Sequence, residues 1–134
     1  MPHLAAKRLL ASAYRKGMAQ MFGCIFCRIA EHQAAARVLF EDGECLAFED
    51  LHPKAPVHVL VIPKKHIAGM NADLQGEEPL LGRLLAAAAR VAKEKGIDRT
   101  GFRIVINTNA EAGQTIFHLH LHVMGGRVMK WPPG

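Results

Sequence analysis

Residues 117–124 read FHLHLHVM, and this alternation constrains the fold more than any other feature of the chain. Successive side chains of a strand point to opposite faces, so His118, His120 and His122 share one face while Leu119, Leu121 and Val123 share the other. The apolar face needs a core, and the histidine face must line something polar. Three readings of that face are open: a His-rich strand on a solvated sheet surface, a metal site, or a site of histidine chemistry.

Further runs rich in β-branched and aromatic residues read as strands: 37–41 (RVLFE), 45–49 (CLAFE), 58–62 (HVLVI) and 102–107 (FRIVIN). Asp42-Gly43 between the first two is a hairpin signal, which makes them antiparallel neighbours. Residues 77–95 repeat Leu80, Leu81, Leu84, Leu85, Ala88, Val91 and Ala92 at helical spacing, with Pro79 suited to a first turn and Gly96 to a C-terminal cap. A short helix is expected around 28–33. The order is short helix, three strands, long helix, two strands, an α+β fold with one five-stranded antiparallel sheet and helices on one face.

A chain of 134 residues has the size of one domain, and its apolar runs fall short of the ~20 residues of a membrane span. The net charge of +5 is unevenly placed. Residues 1–20 hold Lys7, Arg8, Arg15 and Lys16 and no acid, leaving 13 basic against 12 acidic residues from Met21 onward. The body at 21–134 is nearly neutral, which argues against a surface that tracks a nucleic-acid backbone. The basic extension at 1–20 reads as a transit-like segment, an over-extended start or a surface helix. A cytoplasmic location is expected, or a mitochondrial one if the extension is a transit segment. Three cysteines give no paired framework. Cys45, inside an apolar run, reads as a small buried hydrophobe. Cys24 and Cys27 form a CxxC that reads as a metal site, two unligated thiols or a redox pair.

Neutral imidazole is a competent nucleophile, and near its ordinary pKa of about 6.5 it also passes protons. No acid follows the histidine triplet and only Glu111 precedes it closely, so the residues offer a hydrolytic metal centre no carboxylate base downstream. Just before the triplet, Asn107, the turn at Gly113, Gln114 and Thr115 supply an amide, a glycine-bearing backbone and a hydroxyl, parts that suit a phosphate. An ordinary polar loop joining two strands is the plainer alternative.

Asn107 followed by GQTIFHLHLHVMGGR resembles the signature of the histidine triad family, His-x-His-x-His with apolar x. FEDGECLAFEDLHPKAPVHVLVIPKKHI resembles that family's nucleotide-binding half, and VMGGRVMKWPPG its histidine triad nucleotide-binding branch, which hydrolyses purine nucleoside phosphoramidates. The likeness runs from Cys24 to Gly134. It implies a homodimer joined through the long helix and adjoining strand, with 86–89 allowing close approach, and a chemistry without a cofactor.

Carried over by position, the resemblance makes His120 the nucleophile that forms a nucleotidyl-histidine. His122 and Thr115 contact the phosphate and assist the leaving group, with Asn107 and the backbone at Gly113, Gln114 and Thr115 holding it. His58 orients the triplet from a neighbouring strand, Asp50 holds the ribose hydroxyls, and Phe26, Ile29, Phe48 and Leu51 wall the base. Thr115 stands where Ser is common, which keeps the hydroxyl. The resemblance also implies a structural zinc on Cys24, Cys27, His66 and His118. Within the family the rivals are a dinucleoside polyphosphate hydrolase and a nucleotidyl transferase; outside it, a non-catalytic nucleotide-binding adaptor and a zinc-dependent hydrolase using the triplet as ligands.

Overall fold

The structure is a computed structural model that describes residues 23–134, so the readings of 1–20 lie outside the described residues. Its elements are α1 (Ile25–Ala30), β1 (Val38–Glu41), β2 (Cys45–Glu49), β3 (Val57–Pro63), α2 (Glu78–Glu94), β4 (Phe102–Val105), a 3₁₀ turn at Ala110–Ala112, and β5 (Leu121–Gly125). The five strands form one antiparallel sheet in the order β1-β2-β3-β5-β4. The Asp42-Gly43 turn joins β1 to β2 as expected, and the Asp42 carboxylate accepts from the Glu44 and Cys45 N–H groups at 2.8 and 2.7 Å.

The two helices cover opposite faces, not one. Cys45, Ala47, Val59, Val61, Leu121 and Val123 point to the face under α2, where Leu84, Ala88 and Val91 meet them. Leu46, Phe48, Leu60 and Ile62 point the other way, toward Phe26, Ile29 and Ala30 of α1. β2 and β3 are apolar on both sides and need cover on both, which their unbroken apolar runs foreshadow. Cys45 is wholly buried, and burial pushes its thiol up to about 11, as befits an inert small hydrophobe.

α2 starts with a proline in its first turn and ends before Gly96, whose φ of 73° only glycine adopts freely; the Ile97 N–H then reaches back to the Ala92 carbonyl at 3.0 Å. Ala87 and Ala88 pack inward, so of 86–89 only Ala86 and Ala89 face out, beside the half-exposed Leu85. Leu84 is 1 % exposed at the centre of this layer. Leu84→Ala is expected to cost about 2–5 kcal/mol of unfolding free energy, read from urea midpoints, because the sheet and helix cannot close the void.

α1 begins three residues earlier than expected, because the Cys24 sulfur accepts from the Cys27 N–H at 3.3 Å and caps it. β4 ends at Val105, and β5 begins only at Leu121. The β3–β5 ladder stops at the pair Val61↔Leu121, because Pro63 has no N–H with which to continue it. His118 and His120 therefore precede the strand, and only His122 lies on it.

Candidate functional site

The histidines separate into two groups. His120 and His122 stack edge to face with ring centroids 4.9 Å apart, and His58 of β3 lies 5.2 Å from His122. His118, completely buried, turns to His66, Cys24 and Cys27. Phe26 bridges the groups, meeting the His118 and His120 rings at 5.9 and 5.1 Å.

Hydrogen bonds fix the proton on each ring. The Lys54 N–H donates to His58 Nδ1 at 2.9 Å, so the neutral ring carries its hydrogen on Nε2 and gives it to His122 Nδ1, also at 2.9 Å. The neutral His122 ring then carries its hydrogen on Nε2. His120 Nδ1 donates to the His118 carbonyl at 2.7 Å, which leaves the lone pair of His120 Nε2 unengaged by that bond. Burial, with His120 and His58 close by, lowers the His122 pKa to about 4, so the ring is neutral near pH 7. Burial likewise lowers His58, against the pull of Asp50, whose Oδ2 lies 3.4 Å from His58 Nε2.

Cys24 Sγ, Cys27 Sγ, His66 Nδ1 and His118 Nδ1 all lie within 4.8 Å of one another. His118 Nε2 donates to the Pro63 carbonyl at 2.8 Å, which turns the Nδ1 lone pair to the two sulfurs at 3.3 and 3.4 Å; His66 Nδ1 is 3.1 Å from Cys27 Sγ. A tetrahedral zinc with its usual bond lengths puts S and N about 3.5 Å apart, so a slight widening of this cluster fits that ion. The anchored second nitrogen is the arrangement that metal-binding histidines take. Burial and the Cys24 thiol push the Cys27 thiol up to about 12, a cost that a divalent cation removes by favouring the thiolate. Asp50, His58 and His122 also cluster within 4.8 Å, but with His58 Nδ1 accepting from Lys54, its Nε2 holds a hydrogen and has no lone pair for a metal. The first cluster has a donor set that could hold an ion, and the second has hydrogen bonds that orient a proton.

The other candidate residues are placed unevenly. Phe26, Ile29 and Phe48 form one buried cluster on the α1 face, whereas Leu51, expected beside them, is 82 % exposed and stands outside it. Asn107 is half-buried after β4, and Thr115 is exposed. Thr115 lines a cavity of about 520 Å³ with Cys24, Ile25, His66, Ile116 and Phe117. Gln114 is buried, and its amide is committed to bracing: Oε1 accepts from the Asn109 N–H at 2.7 Å, and Nε2 donates to the Ala68 and Ile116 carbonyls at 2.8 and 3.1 Å. The Gly113 and Gln114 N–H groups are bonded to the Ala110 and Asn109 carbonyls at 3.0 and 3.1 Å. Here Gln114 holds the turn in shape and has no free donor of its own for a phosphate. The groups that sequence reasoning missed are the Lys54 N–H and the Pro63 and His118 carbonyls. As backbone groups they leave no mark in the residue types.

His118 and His122 both have folded pKa values near 4, below the ~6.5 of an exposed ring. Between these values the unfolded chain takes up protons that the folded chain refuses, so stability falls as pH drops from about 7 toward 4, by about 2 kcal/mol at pH 5 for His122 and, in the metal-free chain, by a similar amount for His118. Urea midpoints across this range are expected to decline, less steeply in His122→Gln than in the parent.

The family model described as "HIT domain" matches residues 31–129. An uncharacterized HIT-like protein of Synechocystis is 51% identical over 110 residues, 82% of this chain and 96% of that protein. A HIT family hydrolase from Legionella pneumophila has the same fold with a TM-score of 0.81 and 47% identity, over 83% of this chain and 99% of that one. A zinc-bound histidine triad family protein from Mycobacterium smegmatis matches with a TM-score of 0.68 and 33% identity, over 79% and 76% of the two chains. A histidine triad nucleotide-binding protein from Candida albicans matches with 0.70 and 27%, over 81% and 82%.

Proposed function

Because the chain belongs to the HIT domain family, we propose that it hydrolyses purine nucleoside 5′-phosphoramidates through a nucleotidyl-histidine on His120. The observation that carries the reading is the His120 hydrogen bond: with Nδ1–H held by the His118 carbonyl, the Nε2 lone pair is aimed by the fold and ready to attack. That the Legionella relative is named a hydrolase, and the Candida one a nucleotide-binding protein, is in keeping with it.

In the first step His120 Nε2 bonds to the α-phosphorus as the phosphorus–nitrogen bond breaks, and the amine leaves with one proton. His122 gives its Nε2 hydrogen to the amine while the His58 N–H stays bonded to its Nδ1 at 2.9 Å, with the Thr115 hydroxyl assisting; the positive charge that the His120 ring gains on bonding phosphorus offsets the proton lost until the second step. Water then attacks phosphorus, the histidine–phosphorus bond breaks, and the water's proton goes to His122 Nε2, which restores both neutral rings. Asp50 takes the ribose hydroxyls, the Phe26, Ile29, Phe48 cluster and Leu51 take the base, and Asn107 contacts the phosphate, while Gln114 braces the turn that leads to Thr115. Cys24, Cys27, His66 and His118 would hold a structural zinc, which gives the step no chemistry of its own.

The working unit is proposed to be a cytoplasmic homodimer. β4 is an edge strand with half-exposed Phe102, and the outward Leu85, Ala86 and Ala89 of α2 lie on a helix face that the sheet does not cover. Sedimentation should return twice the chain mass.

Incubation with adenosine 5′-phosphoramidate, quenching and peptide mapping should find an acid-labile nucleotidyl group on His120. Turnover with no such adduct under rapid quench would overturn the reading, and faster turnover of a dinucleoside polyphosphate would move the substrate to the rival class.

A further inference from the structure

The proton position on His58 is set by a backbone N–H in an irregular segment, and something must hold that segment. Lys54 lies between β2 and β3, flanked by Pro53 and Pro56. Its N–H reaches His58 Nδ1 at 2.9 Å, and its carbonyl accepts from Arg127 Nη2 at 3.0 Å and Nε at 3.3 Å. Arg127 is brought there by the sheet. Val57 pairs with Gly125, and the next residue, Gly126, has φ 89° and lies so close to Pro56 that an added Cβ would sit 2.9 Å from the Pro56 Cβ. The chain thus turns tightly over the 50–56 segment and delivers the guanidinium to Lys54. A third bond, from Nη1 to the Val128 carbonyl at 3.2 Å, steadies the side chain.

We propose that Arg127 is a positioning residue for the histidine pair: by gripping the Lys54 carbonyl it keeps the Lys54 N–H on His58 Nδ1, and so keeps the His58 hydrogen on Nε2, facing His122. Without that donor, the other neutral tautomer of His58 becomes accessible. Its Nε2 lone pair would then face the Nδ1 lone pair of His122, and the relay would be broken at its first link. The guanidinium suits this role because its planar fork makes two bonds to one oxygen in a fixed direction, which a lysine ammonium does with less geometric control. Arg127 is exposed and fills no core space, so its loss leaves the packed layers intact.

The kinetic part of this inference rests on the hydrolase reading; the tautomer part does not. The test uses the full chain and its Arg127→Met and Arg127→Lys variants, with the ring nitrogens followed by long-range ¹H–¹⁵N correlation at neutral pH and turnover measured on adenosine 5′-phosphoramidate. In the parent, His58 is expected to show a pyridine-like Nδ1 and a pyrrole-like Nε2. In Arg127→Met the two nitrogens should move toward averaged values, with kcat down about tenfold, less than the ~10²–10⁴ that a positioned proton-transfer group contributes because the group is misoriented and not removed, and KM changed by less than about twofold. Arg127→Lys should fall between. Parent-like ring shifts in Arg127→Met overturn the proposal, whether its stability is unchanged or reduced, and so does an unchanged kcat alongside a working parent. If the parent turns over no phosphoramidate, the hydrolase reading fails while the ring shifts still decide the clamp.

Discussion

Replacing His120 with Gln should lower kcat on adenosine 5′-phosphoramidate by about 10⁴–10⁶-fold, the scale on which a covalent nucleophile is missed, and the nucleotidyl adduct should vanish with it. The ring is only 9 % exposed, and its Nδ1–H bond to the His118 carbonyl is one that a glutamine amide can partly replace, so the chain should keep its circular dichroism and most of its urea midpoint. His122→Gln gives the contrast that assigns the roles. It removes a proton donor and leaves the lone pair of His120 in place, so kcat should fall by about 10²–10⁴-fold, less for substrates whose leaving group needs no proton. An adaptor that only binds nucleotide predicts the reverse: His120→Gln would leave its cellular role intact, and the parent would show no turnover to lose. Turnover that survives in His120→Gln would remove the covalent mechanism altogether.

The sequence shows the strands and the long helix because their signals are local. The alternation in 37–49, the continuous apolar run in 58–62 and the heptad-like leucines of α2 each record burial against a neighbour, and burial selects residue type. It is less informative about which face a helix covers. α1 carries Phe26, Ile29 and Ala30 inward, a pattern that fits either side of the sheet, and only the two-sided apolar character of β2 and β3 shows that both sides need a cover. The histidine triplet illustrates both limits. Its spacing points to histidine chemistry, yet strict alternation would put all three rings on one face, and the structure diverts His118 to the cysteines because the ladder ends at Pro63. Likewise Gln114 reads as a phosphate contact by type and position, but it is buried and its amide is taken up by the Asn109 N–H and the Ala68 and Ile116 carbonyls. The proton positions in the relay depend on the Lys54 N–H, a group that every residue but proline has, so no pattern of residue types could have marked it.

The second large effect concerns Cys24, Cys27, His66 and His118, the proposed zinc ligands. The purified chain should carry close to one equivalent of zinc, and Cys27→Ser should lose it. His118 explains why the consequence falls mainly on stability. Its Nε2 is tied to β3 through Pro63 and its Nδ1 faces the sulfurs of Cys24 and Cys27 beside α1, so an ion there would join α1, β3 and the segment leading into β5 at one point. A ligand that binds only the folded state at a thousand times its Kd adds about 4 kcal/mol, and Cys27→Ser or exhaustive chelation should remove stabilisation of that order, read as a drop in Tm. Activity should respond differently. The same His118 positions His120 through its carbonyl, at 2.7 Å, so metal loss should loosen the nucleophile and lower kcat modestly while the fold persists, with collapse only when the chain unfolds. A hydrolase that used the triplet itself as zinc ligands would instead lose turnover at once, before any change in Tm. The order in which activity and Tm fall during chelation therefore separates an ion that holds the strand from one that does the chemistry, and less than about a tenth of an equivalent of zinc with freely alkylated Cys24 and Cys27 would remove the ion from the account.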